Sequence, residues 1–416
     1  MRKILIVGAG QSGLQLALGL QSQGYEVTLM SNRTADEIRS GRVMSTQCMF
    51  HTALQHERDL ALNFWESQAP RIEGLGVSVA APGSHAEPGG TQRAIDWVGA
   101  LDGYAQSVDQ RLKMAGWMET FAQRGGQLVI HGAAVSDLDF FASRYDLTLV
   151  SAGKGELVSM FGRDTSRSPY DAPQRALSVA YVHGLGPRPE HPDFDAVRCN
   201  LVPGVGELFI MPTLTNSGRA DILFWEGIPG GPLDVFAGMR DPGEHLATTL
   251  ELMERFTPWE YARATKVELT DANGTLAGRY APTVRNPVGR LPSGGLVLGV
   301  ADVVVANDPV TGQGSNSAAK CAASYLASIV EHGERPFDAE WMQSAFDRYW
   351  LTAQHVTRWT NAMLAPPPEH VLNLIGAAGQ LQPAADRFAN GFDDPADFDN
   401  FFFEPEKTQA YLASLG

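Results

Sequence analysis

Ile4-Leu5-Ile6-Val7-Gly8-Ala9-Gly10-Gln11-Ser12-Gly13-Leu14 stands three residues into the chain, and its reading decides the fold. Ile4–Val7 is the unbroken apolar run that a parallel strand buried on both faces requires. Leu14, Ala17 and Leu18 then recur at helical spacing, so strand, tight turn and helix follow in order. In that setting G-x-G-x-x-G is a dinucleotide fingerprint. Gly8 permits the turn, Gly10 lets a pyrophosphate approach the backbone, and Gly13 lets the helix lie close to the strand. The helix start presents free N–H groups and its positive dipole end, with Gln11 and Ser12 in its first turn. The second strand, Glu26-Val27-Thr28-Leu29-Met30, ends on Ser31-Asn32-Arg33 and not on the carboxylate that would hold ribose hydroxyls. The opening motif therefore does not separate FAD from a nicotinamide dinucleotide.

The far end of the chain makes that choice. Leu296-Val297-Leu298-Gly299-Val300-Ala301-Asp302 reads as a strand ending on a carboxylate. Asn307-Asp308-Pro309-Val310-Thr311-Gly312-Gln313-Gly314-Ser315-Asn316 leads from it into a helix carrying Ala319, Ala322, Ala323, Leu326 and Ile329. A strand-end carboxylate accepts bonds from ribityl hydroxyls. A Gly-Gln-Gly turn at a helix start offers N–H groups to the flavin pyrimidine edge, where negative charge builds on reduction. The two segments resemble the G-D and P-x-x-G-x-G-x-N signature of the flavoprotein monooxygenases. The resemblance implies Asp302 as the ribityl ligand, with Ala301 in place of the usual glycine. It implies a flavin cradle from Pro309, Gly312, Gly314, Ser315 and Asn316, and FAD as the cofactor.

Tyr145-Asp146-Leu147-Thr148-Leu149-Val150-Ser151-Ala152-Gly153 resembles that superfamily's return to the cofactor sheet, with Gly153 at its end. Val108-Asp109-Gln110-Arg111-Leu112 looks like its V-D-x-R-L segment, which sets Arg111 near the flavin. Together with Arg42-Val43-Met44-Ser45-Thr46-Gln47-Cys48-Met49 and Thr357-Arg358-Trp359-Thr360-Asn361, these segments resemble the two-component styrene and indole monooxygenases along essentially the whole chain. That family implies an oxygenase component that receives FAD delivered reduced by a separate NADH-dependent flavin reductase. It implies reaction with O2 through a flavin C4a-hydroperoxide, and epoxidation of an aromatic-conjugated alkene. Arg33 and Arg42 join the expected cofactor contacts. No second G-x-G-x-x-G and no inserted βαβ unit stands ready to seat NAD(P)H.

The resemblance also divides by pocket. The styrene branch reads Asn-x-Val-x-His where this chain reads Ser45-x-Gln47-x-Met49. It has aromatic and histidine residues at the positions of Ile72 and Leu75, and serine at Ala105. Ser45, Gln47, Met49, Ile72 and Ala105 resemble the indole branch, and Leu75 departs mildly from it. Met49 and Ile72 widen a flat apolar slot for a bicycle, and Gln47 or Ser45 offers an acceptor to the indole N–H. Indole and styrene are the expected substrates, with Ser45, Gln47 and Met49 at the reacting edge and Ile72, Leu75 and Ala105 lining the slot.

At 416 residues the chain exceeds what one core supports, and 44% apolar with 19% charged residues is a globular composition. The expected fold class is α/β: a Rossmann-like FAD-binding domain (1–175 plus 285–330), an inserted mixed β-sheet substrate domain (176–284), and a helical C-terminal region (331–416). Strands are expected at Leu177–Val182, Glu207–Met211 and Asp221–Trp225, and Gly83–Gly103 reads as an excursion. The Phe-rich acidic tail, Phe392–Glu406, is left between packing on the body, a subunit contact and no role. Three cysteines without C-x-x-C spacing argue against a disulfide framework. No metal-ligand spacing is present among the histidines. A net charge of −15 disfavours nucleic acid or an anionic membrane as a partner. The immediate start of the first strand and the lack of an 18-residue apolar run predict a cytoplasmic protein. A homodimer stays open. The alternative activity is a reductase or halogenase-like enzyme on the same fold. Halogenases use a lysine and a W-x-W-x-I-P segment, of which only Lys154 has a counterpart here.

Overall fold

Two large sheets, a two-stranded one pairing Thr283–Val284 with Val305–Ala306, and a helical C-terminal region make up the computed structural model, which describes residues 2–86, 90–153 and 155–416; Lys154 lies outside the described residues. Lys3–Val7 sits inside a six-stranded sheet, parallel to Glu26–Ser31 on one side and Leu147–Val150 on the other. Gln127–Ile130 and Leu296–Gly299 extend it in parallel at either end, and Val288–Arg290 closes one edge antiparallel. Ile4, Leu5, Ile6 and Val7 are all buried, as the apolar run requires. The helices Gln11–Ser22, Gln110–Gln123 and Gly314–His332 pack on this sheet, burying Leu14, Leu18, Trp117, Phe121, Cys321 and Tyr325 in one core.

The second sheet is mixed. Its order runs Glu268–Leu269, Ala176–His183, Gly218–Gly227, Gly206–Thr215, Ala196–Val202, Ile72–Ala80, Arg93–Ala105, with Thr275–Gly278 also paired to Ala176–His183. All pairs are antiparallel except Ile72–Ala80 with Ala196–Val202. Here the sheets depart from the expected division of the chain. The segment 1–175 is not one unit, because Ile72–Ala80 and Arg93–Ala105 leave the cofactor sheet and pair into the second one. The excursion expected at Gly83–Gly103 is mostly the second of these strands. The reason is the period-2 pattern from Leu75 to Val79, which suits a sheet covered differently on its two faces. The 176–284 stretch also holds a helix, Pro242–Phe256, that the strand-and-turn reading had missed.

Side-chain alternation gives that sheet two unlike faces. Ala180, Val182, Leu208, Ile210, Leu223 and Trp225 point to one core, covered by the Pro242–Phe256 helix through Leu252, Met253 and Phe256. Val179, Tyr181, Phe209, Met211, Ile222 and Phe224 point to the other, shared with Cys48, Phe50 and the C-terminal helices. Those helices, among them Ala339–Met363, Glu369–Ala378 and Gln382–Asn390, match the expected helical region. The Phe-rich tail packs on the body: Phe398 stacks on Trp359 at 4.4 Å between ring centroids, and Phe392 meets Phe50 at 5.7 Å and Trp359 at 4.7 Å. Among the described residues no helix is long and apolar enough to cross a membrane.

Phe398 is fully buried in that aromatic cluster, so Phe398→Ala should cost about 3–5 kcal/mol through lost burial and the cavity left behind. A thermal midpoint clearly below that of the parent protein is the expected result; an unchanged midpoint would show that the tail does not carry this core.

Candidate functional site

The first helix starts at Gln11 after Gly10, with no side-chain cap, so its first-turn N–H groups are directed outward. A Cβ on Gly10 would meet nothing within 4 Å, whereas one on Gly13 would lie 2.0 Å from the Gly8 oxygen. Gly10 therefore fronts open space of the kind a pyrophosphate needs, and Gly13 is demanded by close helix–strand packing. Gly8 takes φ +117°, which a side chain would resist. Gln11 turns inward: its Nε2 donates to Gln15 and to Glu57, both at 3.1 Å, and Glu57 forms a buried ion pair with Lys113. Ser12 is buried beside it.

The Gly314–His332 helix also begins without a side-chain cap. Before it, Pro309–Thr311 forms a tight turn whose Val310 N–H is held by Asp308 at 3.2 Å, and Gly312 takes φ +64°. Cβ atoms on Gly312 and Gly314 would again meet nothing within 4 Å. Asp302 is exposed, in the turn Ala301–Val303 after the Leu296–Gly299 strand. A Cβ on Gly153 would lie 3.2 Å from the Asp302 Cβ, so the two strand ends converge. Ala301 has φ +50°, the left-handed region that costs a non-glycine residue about 1–2 kcal/mol. That backbone geometry is why the signature carries glycine at this position. Two uncapped helix starts, glycines fronting open space and an exposed strand-end carboxylate suit the pyrophosphate, pyrimidine and ribityl parts of a flavin dinucleotide. The residues fit FAD.

The arginines divide. Arg33 is half-buried at the end of the second strand, against the Met44 sulfur at 2.7 Å, and Arg42 is exposed with a long contact to the Thr275 carbonyl. Arg111, expected near the flavin, is held firmly by the protein itself. Its five N–H donors all bond within the protein: to Asp109 Oδ2 from Nε and Nη2, to both Asp271 oxygens, and to the Gly41 carbonyl. Partial burial pushes the Asp271 carboxyl up, but the Arg111 bonds and the Asn273 N–H hold it below its ordinary value. Arg111 acts as a clamp from the helix start to the second sheet's Asp271 turn, a partner no spacing rule in the sequence could supply.

The segment Ser45–Phe50 forms one isolated bridge, Met49 with Gln106, and its side chains divide between two cores. Cys48 and Phe50 share a core with Ile72, Leu75 and Ala105, all three fully buried. Met49 instead packs with Ala53, Leu54 and Ala319, and Gln47 donates from Nε2 to the Val108 carbonyl. The structure thus brings Ile72, Leu75 and Ala105 together on the apolar sheet face and sets Gln47 and Met49 one side-chain layer away. Ser45 is exposed; its hydroxyl donates to the Thr46 carbonyl, and its own carbonyl accepts from the Tyr181 hydroxyl at 2.9 Å. Asn316 fixes the segment to the flavin helix, donating to the Cys48 carbonyl and accepting from the Phe50 N–H.

Several buried polar atoms here have no hydrogen-bond partner among the described residues: Oε1 of Gln47, Oε1 of Gln313, Nε1 of Trp359 and both carboxyl oxygens of Glu226. Glu226 was missed in the sequence. Its signal was an acid in Ile222-Leu223-Phe224-Trp225-Glu226, on the parity of Ile222 and Phe224. Asp308, in the loop before the Gly314–His332 helix, is buried, and burial pushes its carboxyl up to about 6 against the Val310 bond. Cys48 and Cys321 are buried thiols pushed up to about 12, and Cys199 is pushed up in the same way. No group of three metal-ligating side chains occurs among the described residues. A groove of about 370 Å³ runs along the flanks of the cofactor helices past Gln15, Leu60 and Leu326, not at their starts.

Residues 153–263 match the family described as "Styrene monooxygenase A putative substrate binding domain". The chain is 31% identical to styrene monooxygenase StyA of Pseudomonas fluorescens, over 98% of this chain and 96% of that protein, and equally to styrene monooxygenase StyA of a Pseudomonas species. Among solved structures it is similar to the flavin-dependent brominase Bmp2, with a TM-score of 0.67 at 13% identity over 99% of this chain and 98% of that one. It also resembles 2-methyl-3-hydroxypyridine-5-carboxylic acid oxygenase, with a TM-score of 0.56 at 15% identity over 96% and 97%. At those identities the structures speak for the fold alone.

Gly10→Val fills the space before the first helix, and Asp302→Ala removes the strand-end carboxylate. Each should weaken FAD binding at least about tenfold, roughly 1.4 kcal/mol, with the fold retained by circular dichroism. An Asp302→Ala protein that titrates with FAD like the parent would remove Asp302 from the ribityl site.

Proposed function

From the chain's membership of the styrene monooxygenase family, a family of flavin-dependent monooxygenases, we propose that it is the oxygenase of a two-component system that epoxidises indole in preference to styrene. In this reading FAD arrives already reduced by a separate NADH-dependent reductase. The observation that carries the preference is the slot's composition: Ile72, Leu75 and Ala105 form a fully buried patch with no hydroxyl or imidazole, beside Cys48 and Phe50. Such a floor suits a flat bicycle.

Bound and reduced, the flavin supplies the electrons and the activation of O2 that oxygen insertion needs. The chain's residues do the rest. The N–H groups after Gly10 hold the pyrophosphate, with Arg33 and Arg42 as nearby cations, and Asp302 holds the ribityl chain. Gly312, Gly314 and Ser315 offer backbone to the pyrimidine, Pro309 shapes the turn before them, and Asn316 keeps Ser45–Phe50 against that helix. Phe50, Phe392 and Trp359 close the aromatic side of the slot and exclude water, which protects a reactive oxygen species from wasteful decay. Ile72, Leu75 and Ala105 hold the alkene in position. The product, an indole epoxide, rearranges to indoxyl and oxidises in air to indigo. The reductase partner is supported by the absence of a second dinucleotide fingerprint in the sequence. A cytoplasmic setting is part of the proposal and suits three free, buried thiols.

Two measurements test this. Purified protein with FAD should not oxidise NADH at enzymatic rates, and an added flavin reductase should start O2-dependent indigo formation; rapid bleaching of bound FAD by NADH alone contradicts the two-component reading. Exchanging Ser45, Gln47 and Met49 for Asn, Val and His should shift the indole-to-styrene rate ratio towards styrene by about 10- to 100-fold, since such pocket changes are worth roughly 1–3 kcal/mol. An unchanged ratio in a folded, flavin-binding variant removes the three positions from specificity.

A further inference from the structure

We infer that Glu57 and Lys113 are positioning residues for the cofactor: Glu57 holds Gln11 at the dinucleotide turn, and Lys113 cancels the charge that Glu57 would otherwise set behind the FAD pyrophosphate. This rests on the pyrophosphate lying at Gly10–Gln11 and adds two residues from outside the fingerprint, on helices that no spacing rule connects to it.

A chain of hydrogen bonds carries the placement. Gln11, the first residue of the Gln11–Ser22 helix, engages its side-chain amide nitrogen wholly inside the protein: Nε2 donates to Oε1 of Gln15 and to Oε1 of Glu57, each at 3.1 Å. Gln15 Nε2 donates in turn to the Ala319 carbonyl at 3.0 Å, in the Gly314–His332 helix. Behind Glu57, the Lys113 ammonium donates to the same Oε1 and lies 4.9 Å from the centroid of the Trp117 ring. The Lys113 and Glu57 side chains are only 2% and 3% exposed. One buried polar line thus ties both cofactor helices to the helices His51–Asp59 and Gln110–Gln123.

Charge decides what this line does to the cofactor. A pyrophosphate is a dianion, and the free N–H groups and positive dipole end of the first helix attract it. A carboxylate one hydrogen bond behind Gln11, in an interior that screens weakly, repels it. The Lys113 ammonium removes that repulsion and leaves Glu57 as a charged acceptor, which grips the Gln11 amide more firmly than a neutral one. Glu66, the second acid lining the small cavity beside Lys113, has its own cation in Arg58 at 2.6 Å, so Lys113 is left to Glu57. A pair kept only to hold the fold would act on the cofactor in one direction, since losing either member would loosen the turn. A pair that balances charge acts in two.

The test is FAD titration of the apoprotein, followed by flavin fluorescence. Lys113→Met, similar in length, leaves the carboxylate unopposed and should weaken FAD binding about tenfold or more. Glu57→Gln keeps an acceptor for Gln11 and leaves the cation unopposed, so it should bind FAD at least as tightly as the parent, although both single exchanges lower the thermal midpoint. The double exchange should return to within about threefold of the parent. Riboflavin, which lacks the pyrophosphate, should show no such opposition of sign. If Lys113→Met titrates with FAD like the parent, or if Glu57→Gln weakens FAD binding as Lys113→Met does, the assignment is wrong; equal shifts for riboflavin and FAD overturn it as well. If Lys113→Met does not fold, the direction of the Glu57→Gln change decides alone. Gly10→Val separates the assignment from the reading beneath it. Parent-like FAD binding by Gly10→Val overturns the pyrophosphate placement, whereas weakened binding there with parent-like charge variants overturns only the role of Glu57 and Lys113.

Discussion

The Asn316 side chain bonds the backbone on both sides of Met49, donating to the Cys48 carbonyl at 2.8 Å and accepting from the Phe50 N–H at 2.8 Å. One amide thereby makes the first turn of the flavin helix and the Ser45–Phe50 segment a single rigid piece. Because Cys48 and Phe50 face one core and Met49 another, fixing the register of that segment fixes which side chains face the sheet. The antiparallel bridge between Met49 and Gln106 holds the same register from the other side. Slot shape and flavin position are therefore not independent variables in this protein.

A second clamp works at the other end of the helix layer. Arg111 takes Asp109 from its own helix start and Asp271 from a turn of the second sheet, so the cofactor sheet's helix and the substrate sheet meet through one guanidinium. Planar, bidentate pairing of this kind fixes orientation as well as distance. All five donors are engaged inside the protein.

Local rules made both ends of the cofactor lobe legible in the sequence. Gly8 and Gly312 are demanded by backbone conformation and Gly13 by close helix–strand approach, which are properties of a few adjacent residues, and Asp302 follows from the strand that carries it. What depended on distant pairing was not legible. Nothing local says that Ile72–Ala80 runs beside Ala196–Val202, that Asp271 meets Arg111, or that the Phe-rich tail closes over Trp359. Glu226 is an intermediate case. Its parity with Ile222 and Phe224 was visible, but an acid at a strand's end is usually solvated, and its full burial depends on the fold around it. The glycine-to-alanine departure at Ala301 was visible too, and its meaning became clear once φ +50° was known.

The burial of the three cysteines bears on how long such a protein lasts in service. Oxygenases of this kind work beside peroxide that escapes when oxygen is not transferred. Peroxide oxidises thiolates, and climbs from sulfenic to irreversible acids wherever a thiolate is accessible. Cys321 is 0% exposed and Cys48 and Cys199 are each 5% exposed, all with their ionisation pushed far above neutrality. Cys321 moreover accepts the Ala301 N–H on its sulfur at 3.3 Å, inside the turn that carries Asp302. Self-inflicted oxidative damage should thus spare the thiols nearest the chemistry and fall first on more accessible sulfur such as Met44, so ageing of this catalyst begins at its thioethers.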